Sequence, residues 1–292
     1  MSKLSVLIPS RGEVYMPKTV NDLFEKAAGE IEVIVVLDGY WPDEKMKSQA
    51  APDIWPLDRP NLTYIHYANS IGMRAAINAA ARIAKGDFLM KLDAHCMMAP
   101  GFDEALKADC EDNWVAVPRR LRLDAENWAL KPITDSEPPI DYERFIYPDK
   151  FNPRELHGYK WNERTAERKD ILIDDLMTFQ GSCWFMHRSH FDRCGFMAID
   201  GYNGLPMQEA EEISLTTWLS GGRVITNKKT WYAHWFKGRN RGYYIEKKIG
   251  NACYAFSYQH WAIERKEGFI KLIEHFWPLP SWPDDWKERL YK

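Results

Sequence analysis

The sequence predicts an α/β protein built on a mostly parallel sheet flanked by helices. Three observations carry this. The runs "KLSVLIP", "IEVIVVLDG" and "DFLMKLDAH" are apolar throughout, as in strands covered on both faces, instead of alternating as in strands with one wet face. Segments with helical spacing lie between them. Strands and helices in alternation form parallel sheets, because a parallel neighbour needs a crossover long enough to hold a helix.

The elements follow in order. "KLSVLIP" is the first strand, and Lys18 to Ala28 carries a helical period. "IEVIVVLDG" is the second strand and "LTYIHYA" the third. The Ala-rich helix "MRAAINAAARIA" runs from Met73 to Ala84, between Gly72 and Gly86, which act as start and stop signals. "DFLMKLDAH" is the fourth strand. From Asp124 to Asp170 the pattern fails: Pro132, Pro138, Pro139, Pro148 and Pro153 interrupt a charged, aromatic stretch without a period, read as a long irregular excursion. Order returns with "MTFQGSCWFMHRSHF". A helix, "QEAEEISLTTWLSGG", follows and ends at Gly221 and Gly222, and then come the strands "RVIT" and "TWYAHWF". The tail from Asn240 is helical to about His275 and closes in "FWPLPSWPDDW". The expected organisation is one domain over 1–238, with an insertion at about 124–170, and a helical, aromatic extension over 239–292 packed on it.

Composition bounds the function. At 292 residues, with 45% hydrophobic and 28% charged residues, the chain has the make-up of a globular protein with a sizeable core. A formal net charge of -3 offers no global attraction to nucleic acid or anionic membrane. The opening "MSKLSVLIPSRGE" is too short and too interrupted for a signal or transmembrane segment. Five scattered cysteines without a CxxC pair indicate neither a disulfide framework nor a zinc knuckle, so the expected location is cytoplasmic. Thirteen tryptophans serve either core packing or stacking on a sugar or base.

Ligands of open α/β sheets bind beyond the carboxyl ends of the strands. Asp38 ends the second strand and Asp93 the fourth, so both should face one crevice. Asp93 and His95, at i and i+2 on a strand exit, can turn toward one ion, and His234 in "WYAHWF" is a candidate third ligand. Oxygen with nitrogen donors suits Mn2+ or another borderline divalent metal, with the harder Mg2+ as the alternative. Taken singly, either histidine reads more readily as an ordinary hydrogen-bonded residue than as a ligand.

Here the residues reach a resemblance. "KGDFLMKLDAHCMMAPG" resembles the DxH segment of polypeptide N-acetylgalactosaminyltransferases and, more broadly, the DxD segment of family 2 glycosyltransferases with the GT-A fold. "LSVLIPSRGE", "IEVIVVLDG", "IGMRAAINAAARIAKGD", "GSCWFMHRSHFDRCGFMAID" and "QEAEEISLTTWLSGGRVI" followed by "AHWF" are similar to further segments of that family, in the same order. The resemblance covers most of Leu4 to Lys237. It implies a GT-A, Rossmann-like domain, a nucleotide-sugar donor (UDP foremost) and a metal held by Asp93, His95 and His234.

By the same resemblance Pro9, Arg11, Glu13 and Asp38 belong to the nucleotide site. Arg11 and Arg74 offer guanidinium forks for nucleotide or phosphate. Lys237, Arg239 and Arg241 form a basic loop suited to a diphosphate. Gly181 lets backbone approach the sugar, and Trp184 either stacks on a sugar ring or packs in the core. Inverting relatives carry Glu-Asp in the later helix. Glu209 matches the first acid and Ala210 stands where the base would be, which leans toward retention, with Glu209, Glu211 or Glu212 as displaced bases and Glu209 and Glu212 as the catalytic candidates. The expected acceptor is a cytoplasmic saccharide or glycolipid precursor. Hydroxymethylated bases of viral DNA are the alternative, served by "YERFIYPDKFNPRELHGYKWNERTAERK" and "KGRNRGYYIEKK". A non-catalytic sugar-binding module and a nucleotidyltransferase are the other classes, and no protein partner is expected.

Overall fold

The computed structural model describes residues 2–43, 58–148, 156–195, 197–238 and 245–292. The first half runs β1 (Leu4–Ser10), α1 (Met16–Lys26), β2 (Ile31–Asp38), β3 (Leu62–Tyr67), α2 (Met73–Ile83), β4 (Phe88–Leu92), β5 (Cys96–Met98), α3 (Phe102–Asp109) and β6 (Trp114–Asp124). The excursion holds β7 (Ala129–Leu130), β8 (Glu143–Phe145), β9 (Gly158–Lys160) and α4 (Asn162–Glu167). Then follow β10 (Ile173–Asp175), β11 (Cys183–His187), α5 (Arg188–Cys194), α6 (Glu209–Leu219) and β12 (Arg223–His234). The tail is α7 (Lys247–Ser257), a π-helical turn (Tyr258–Ile263), α8 (Lys266–Phe276) and α9 (Trp286–Tyr291).

The main sheet runs β10-β12-β6-β11-β4-β1-β2-β3, with β5 added beside β12 and β7 beside β6. Strands β4, β1, β2 and β3 are mutually parallel, as the apolar runs predict. Parallel pairing also joins β6 to β12, while β11 enters antiparallel between β4 and β6, so the sheet is mixed. The antiparallel entry reflects the path of the chain, which returns from the excursion on the side where β4 exits. Both faces are buried. Along β1, Leu7 packs on one side and Leu4, Val6 and Ile8 on the other, each with its own core.

Three local expectations change. α1 begins at Met16, two residues before Lys18, because Pro17 fits a helix's first turn, where its missing N–H is no loss. "RVIT" and "TWYAH" are one strand, β12, whose register shifts between Asn227 and Trp231; a bulge absorbs the break in pattern. The excursion is not irregular throughout, since the β8–β9 hairpin gives it local order. The tail shares a core with the sheet: Phe269, Ile273, Trp282 and Trp286 lie in the same apolar cluster as Leu7 and Ile34.

Candidate active site

The carboxyl ends of β1, β2 and β4 open into a cavity of about 450 Å³. Pro9, Arg11 and Glu13 line it from the β1 exit, Asp38 from β2, and Asp93 and His95 from β4. His234 and Lys237 reach it from the end of β12, Gly181 from the turn before β11, and Glu209 from the start of α6. The tertiary fold thus gathers most of the sequence-predicted residues into one place.

Asp93, His95 and His234 each point a ligand atom at the others, all within 4.8 Å. The Nε2 atoms of the two histidines are 3.1 Å apart, and Asp93 Oδ2 is 3.4 Å from His234 Nε2 and 3.9 Å from His95 Nε2. Two ligands bound to one ion at about 2.1 Å each lie roughly 3 to 4 Å apart, so the three donors fit a single divalent cation. The electrostatics agree. Burial opposes ionisation of Asp93, but Lys91 and then the two histidines outweigh it and hold the carboxyl well below its usual range. Burial brings the His234 imidazole down to about 4, against the pull of Asp93, which keeps it neutral and able to ligate. Glu13 meets His95 from behind, Oε2 to Nδ1 at 3.2 Å, and its other oxygen accepts from Lys237 Nζ. Burial raises the Glu13 carboxyl, yet His95 and Lys237 reverse this and bring it below its ordinary value.

Beside the metal ligands lies a second charged group that sequence reading missed. Lys91, next to the last residue of β4 and almost fully buried, donates to Asp93 Oδ1 at 2.6 Å and to the Gly181 carbonyl, with Glu209 Oε2 at 3.4 Å. Burial works against its charge, but Asp93 and Glu209 raise the ammonium above its ordinary value. Glu209 Oε1 accepts from the Trp184 indole at 2.8 Å, while burial, countered by Lys91, leaves its carboxyl raised. Trp184 is therefore a core residue that holds Glu209, and does not stack on a sugar. Gly181 has a specific cause too: a Cβ there would stand 2.5 Å from Glu209 Oε2. The signal for Lys91 was available, since a lone lysine in an unbroken apolar run requires buried partners.

Two candidates lie elsewhere. Arg74, expected at phosphate, is fully buried and gives its guanidinium to the carbonyls of Ala198, Leu205 and Met207 and to Glu212. Glu212, expected to be catalytic, accepts from Arg74 and from the Ala198 amide and does not line the cavity. The pair clamps the 198–212 segment beneath the site. Asp38 lines the cavity, but its carboxylate accepts from Ser70 Oγ (2.8 Å), Ile71 N (2.6 Å) and Gly72 N (3.2 Å). Arg239 and Arg241 fall outside the described residues.

Other lining residues had no local signature. Glu143 and Gly158 come from the excursion, Ile245 and Tyr254 from the tail. Glu211 Oε1 accepts from Gly158 N at 2.9 Å, and Glu143 pairs with Arg120 at 2.6 Å, so two buried carboxylates flank Gly158 on one wall.

Residues 5–195 match the family Glycosyl transferase family 2. Polypeptide N-acetylgalactosaminyltransferase 12 of Mus musculus is 23% identical over 283 residues, 91% of this chain and 45% of that protein, and the Homo sapiens protein of the same name matches to the same extent. The chain thus spans about half the length of the curated relatives it matches. The structure of GalNAc-T7 with UDP, GalNAc and Mn2+ superposes with a TM-score of 0.68 at 18% identity, covering 99% of this chain and 54% of that one. S. aureus TarS 1-349 in complex with UDP-GlcNAc gives 0.54 at 13%, covering 94% and 73%. At these identities the superpositions speak for the fold, which is of the GT-A type. Because the family match extends over about two thirds of the sequence, the chain belongs to glycosyl transferase family 2.

Proposed function

We propose that the protein is a metal-dependent glycosyltransferase that moves a sugar from a UDP-linked donor to a hydroxyl acceptor. The convergence of Asp93, His95 and His234 at the strand exits is the observation that carries this reading. The donor set suits Mn2+ first and Mg2+ second. A cation held there supplies charge neutralisation for a departing diphosphate. Pro9, Arg11 and Asp38 border the nucleotide end, and Lys237 stands above the ligands for phosphate. Glu209, fixed by Lys91 and Trp184, orients the sugar across Gly181.

Retention of configuration is supported by Ala210 at the position of the expected base and by Glu209, whose two oxygens already have partners. A hydroxyl-rich acceptor, a saccharide or glycolipid precursor, is supported by the Glu143 and Glu211 wall, since buried carboxylates accept from hydroxyls and repel phosphates. A cytoplasmic setting accords with five free cysteines, and no helix among the described residues is long and apolar enough to cross a membrane. Exposed Tyr159, next to Lys160 on β9, favours the second reading, modified DNA, because a ring beside a cation can stack a base.

Release of UDP from a panel of UDP-sugars with Mn2+ tests the proposal, with methyl glycosides in one arm and a hydroxymethylated oligonucleotide in the other. The expected result is release that EDTA, Asp93→Ala and His234→Ala each reduce to baseline, with stimulation by the glycosides. Release that ignores all three interventions refutes the metal assignment, and stimulation by the oligonucleotide alone transfers the acceptor to DNA.

A further inference from the structure

We propose that Glu13 is a positioning residue for the metal site: one carboxylate oxygen sets the tautomer of His95, and the other ties the segment after His234 to the loop after β1. The inference rests on the metal-dependent reading above and reassigns a residue whose sequence context pointed to nucleotide.

An ionised carboxylate only accepts hydrogen bonds. It has no proton to give, so a hydrogen bond between Glu13 Oε2 and His95 Nδ1, 3.2 Å apart, requires the proton to be on Nδ1. A neutral imidazole carries one N–H, and His95 Nε2 is then left with a lone pair. That lone pair faces His234 Nε2 at 3.1 Å and Asp93 Oδ2 at 3.9 Å. Without Glu13 the ring is free to take the other tautomer and place a proton among the three ligand atoms, against His234 Nε2 at 3.1 Å, closing the position a cation needs. The backbone assists: the Trp235 amide donates to the His95 carbonyl at 3.1 Å, and the Trp235 indole meets the His95 ring edge-on at 5.9 Å. Ring position and ring tautomer are thus set by different neighbours.

The second oxygen reaches Lys237, three residues beyond His234. Glu13 follows β1, His95 follows β4 and Lys237 follows β12, so one carboxylate joins three strand exits that lie far apart in the sequence. The side chain is 12% exposed, and both oxygens have protein partners, which leaves it poorly placed to bind a nucleotide. Outer-shell carboxylates of this kind raise the metal affinity of a histidine by roughly 10- to 100-fold.

The test uses the full chain, Glu13→Ala, the near-isosteric Glu13→Gln and Lys237→Met. Nitrogen-15 shifts of His95 in the metal-free protein report the tautomer, and titration with Mn2+ alone, followed by electron paramagnetic resonance, reports affinity. The expected result is Nδ1–H in the wild type and a shift toward Nε2–H, with Mn2+ affinity lower by about 10- to 100-fold, in both Glu13→Ala and Glu13→Gln, since the Gln oxygen stays on Lys237 and its NH2 turns toward Nδ1. Lys237→Met should keep the tautomer and accelerate amide exchange over residues 235–238. A Glu13→Ala protein that keeps Nδ1–H and wild-type affinity overturns the tautomer role, and unchanged exchange in Lys237→Met overturns the tie. A wild type that binds no Mn2+ refutes the metal-dependent function. The tautomer shift, read without metal, then decides by itself whether Glu13 governs His95.

Discussion

Lys91 sits next to the last residue of a strand buried on both faces, where an ammonium is tolerated only with fixed partners. It has three: Asp93, Glu209 and the Gly181 carbonyl. Its contact with Asp93 Oδ1 turns Oδ2 toward the histidines, while its charge offsets two carboxylates that would otherwise repel each other. Lys91→Met conserves volume but leaves buried Glu209 and half-buried Asp93 without their cation. Removing one member of such a cluster costs about 3–5 kcal/mol. Urea unfolding of the metal-free protein at neutral pH should show a loss of that size, and a loss below about 1 kcal/mol would mean that the cluster behaves as a solvated pair.

Elements decide which side chains of one helix serve the site. α6 opens with Glu209, Ala210, Glu211 and Glu212, and helical spacing puts Glu209 and Glu212 on neighbouring positions. In the fold they part: Glu209 faces Lys91 across the cavity floor, and Glu212 turns to Arg74 from α2. α6 is held in place on its other side by α5, where buried His190 meets Thr217 Oγ1 at 3.0 Å. Burial, with Arg193 and His187 nearby, lowers the His190 imidazole to about 4 from an ordinary 6.5. Between those values the unfolded chain binds a proton that the folded chain refuses, so this residue's contribution to stability is complete above pH 6.5 and declines as pH falls toward 4. Thermal unfolding from pH 7.5 to 4.5 should show a steeper fall in Tm for the wild type than for His190→Gln. Equal slopes would show that His190 takes up its proton in the folded state.

At the scale of the whole molecule, the tail is part of the central core. Phe269 is fully buried in the cluster that includes Leu7 of β1 and Trp184 of β11, and the Trp282 indole donates to the Phe145 carbonyl of β8 at 2.9 Å. The tail also supplies Ile245 and Tyr254 to the cavity. A shared core couples the unfolding of its parts. Phe269→Ala should therefore lower stability by about 3–5 kcal/mol and shift the tryptophan fluorescence and circular dichroism transitions together. A fluorescence transition that separates from the dichroism would mark the tail as a unit that unfolds alone.

The sequence by itself determined what short range dictates. β1, β2 and β4 are legible because burial on both faces requires continuous apolar runs, while β3, an edge strand with no fully buried residue, shows itself through β-branched and aromatic residues. Asp93 and His95 are legible as a pair because two residues at a strand exit turn together. Glu209 stands out through the ordered motifs around it, as does His234, whose place beside β5 and β6 no local pattern announces. Tertiary structure alone decided the partners. Arg74 reads as an exposed fork until residues 198–212 fold over it. Glu13 reads as a nucleotide contact until His95 and Lys237 arrive at its two oxygens, and the excursion reads as irregular until Glu143 and Gly158 reach the cavity wall. The physical reason is the same in each case. Hydrophobic pattern is a property of neighbours in the chain, whereas the meaning of a charge is set by the opposite charge it meets, and in this fold that charge comes from a distant part of the chain.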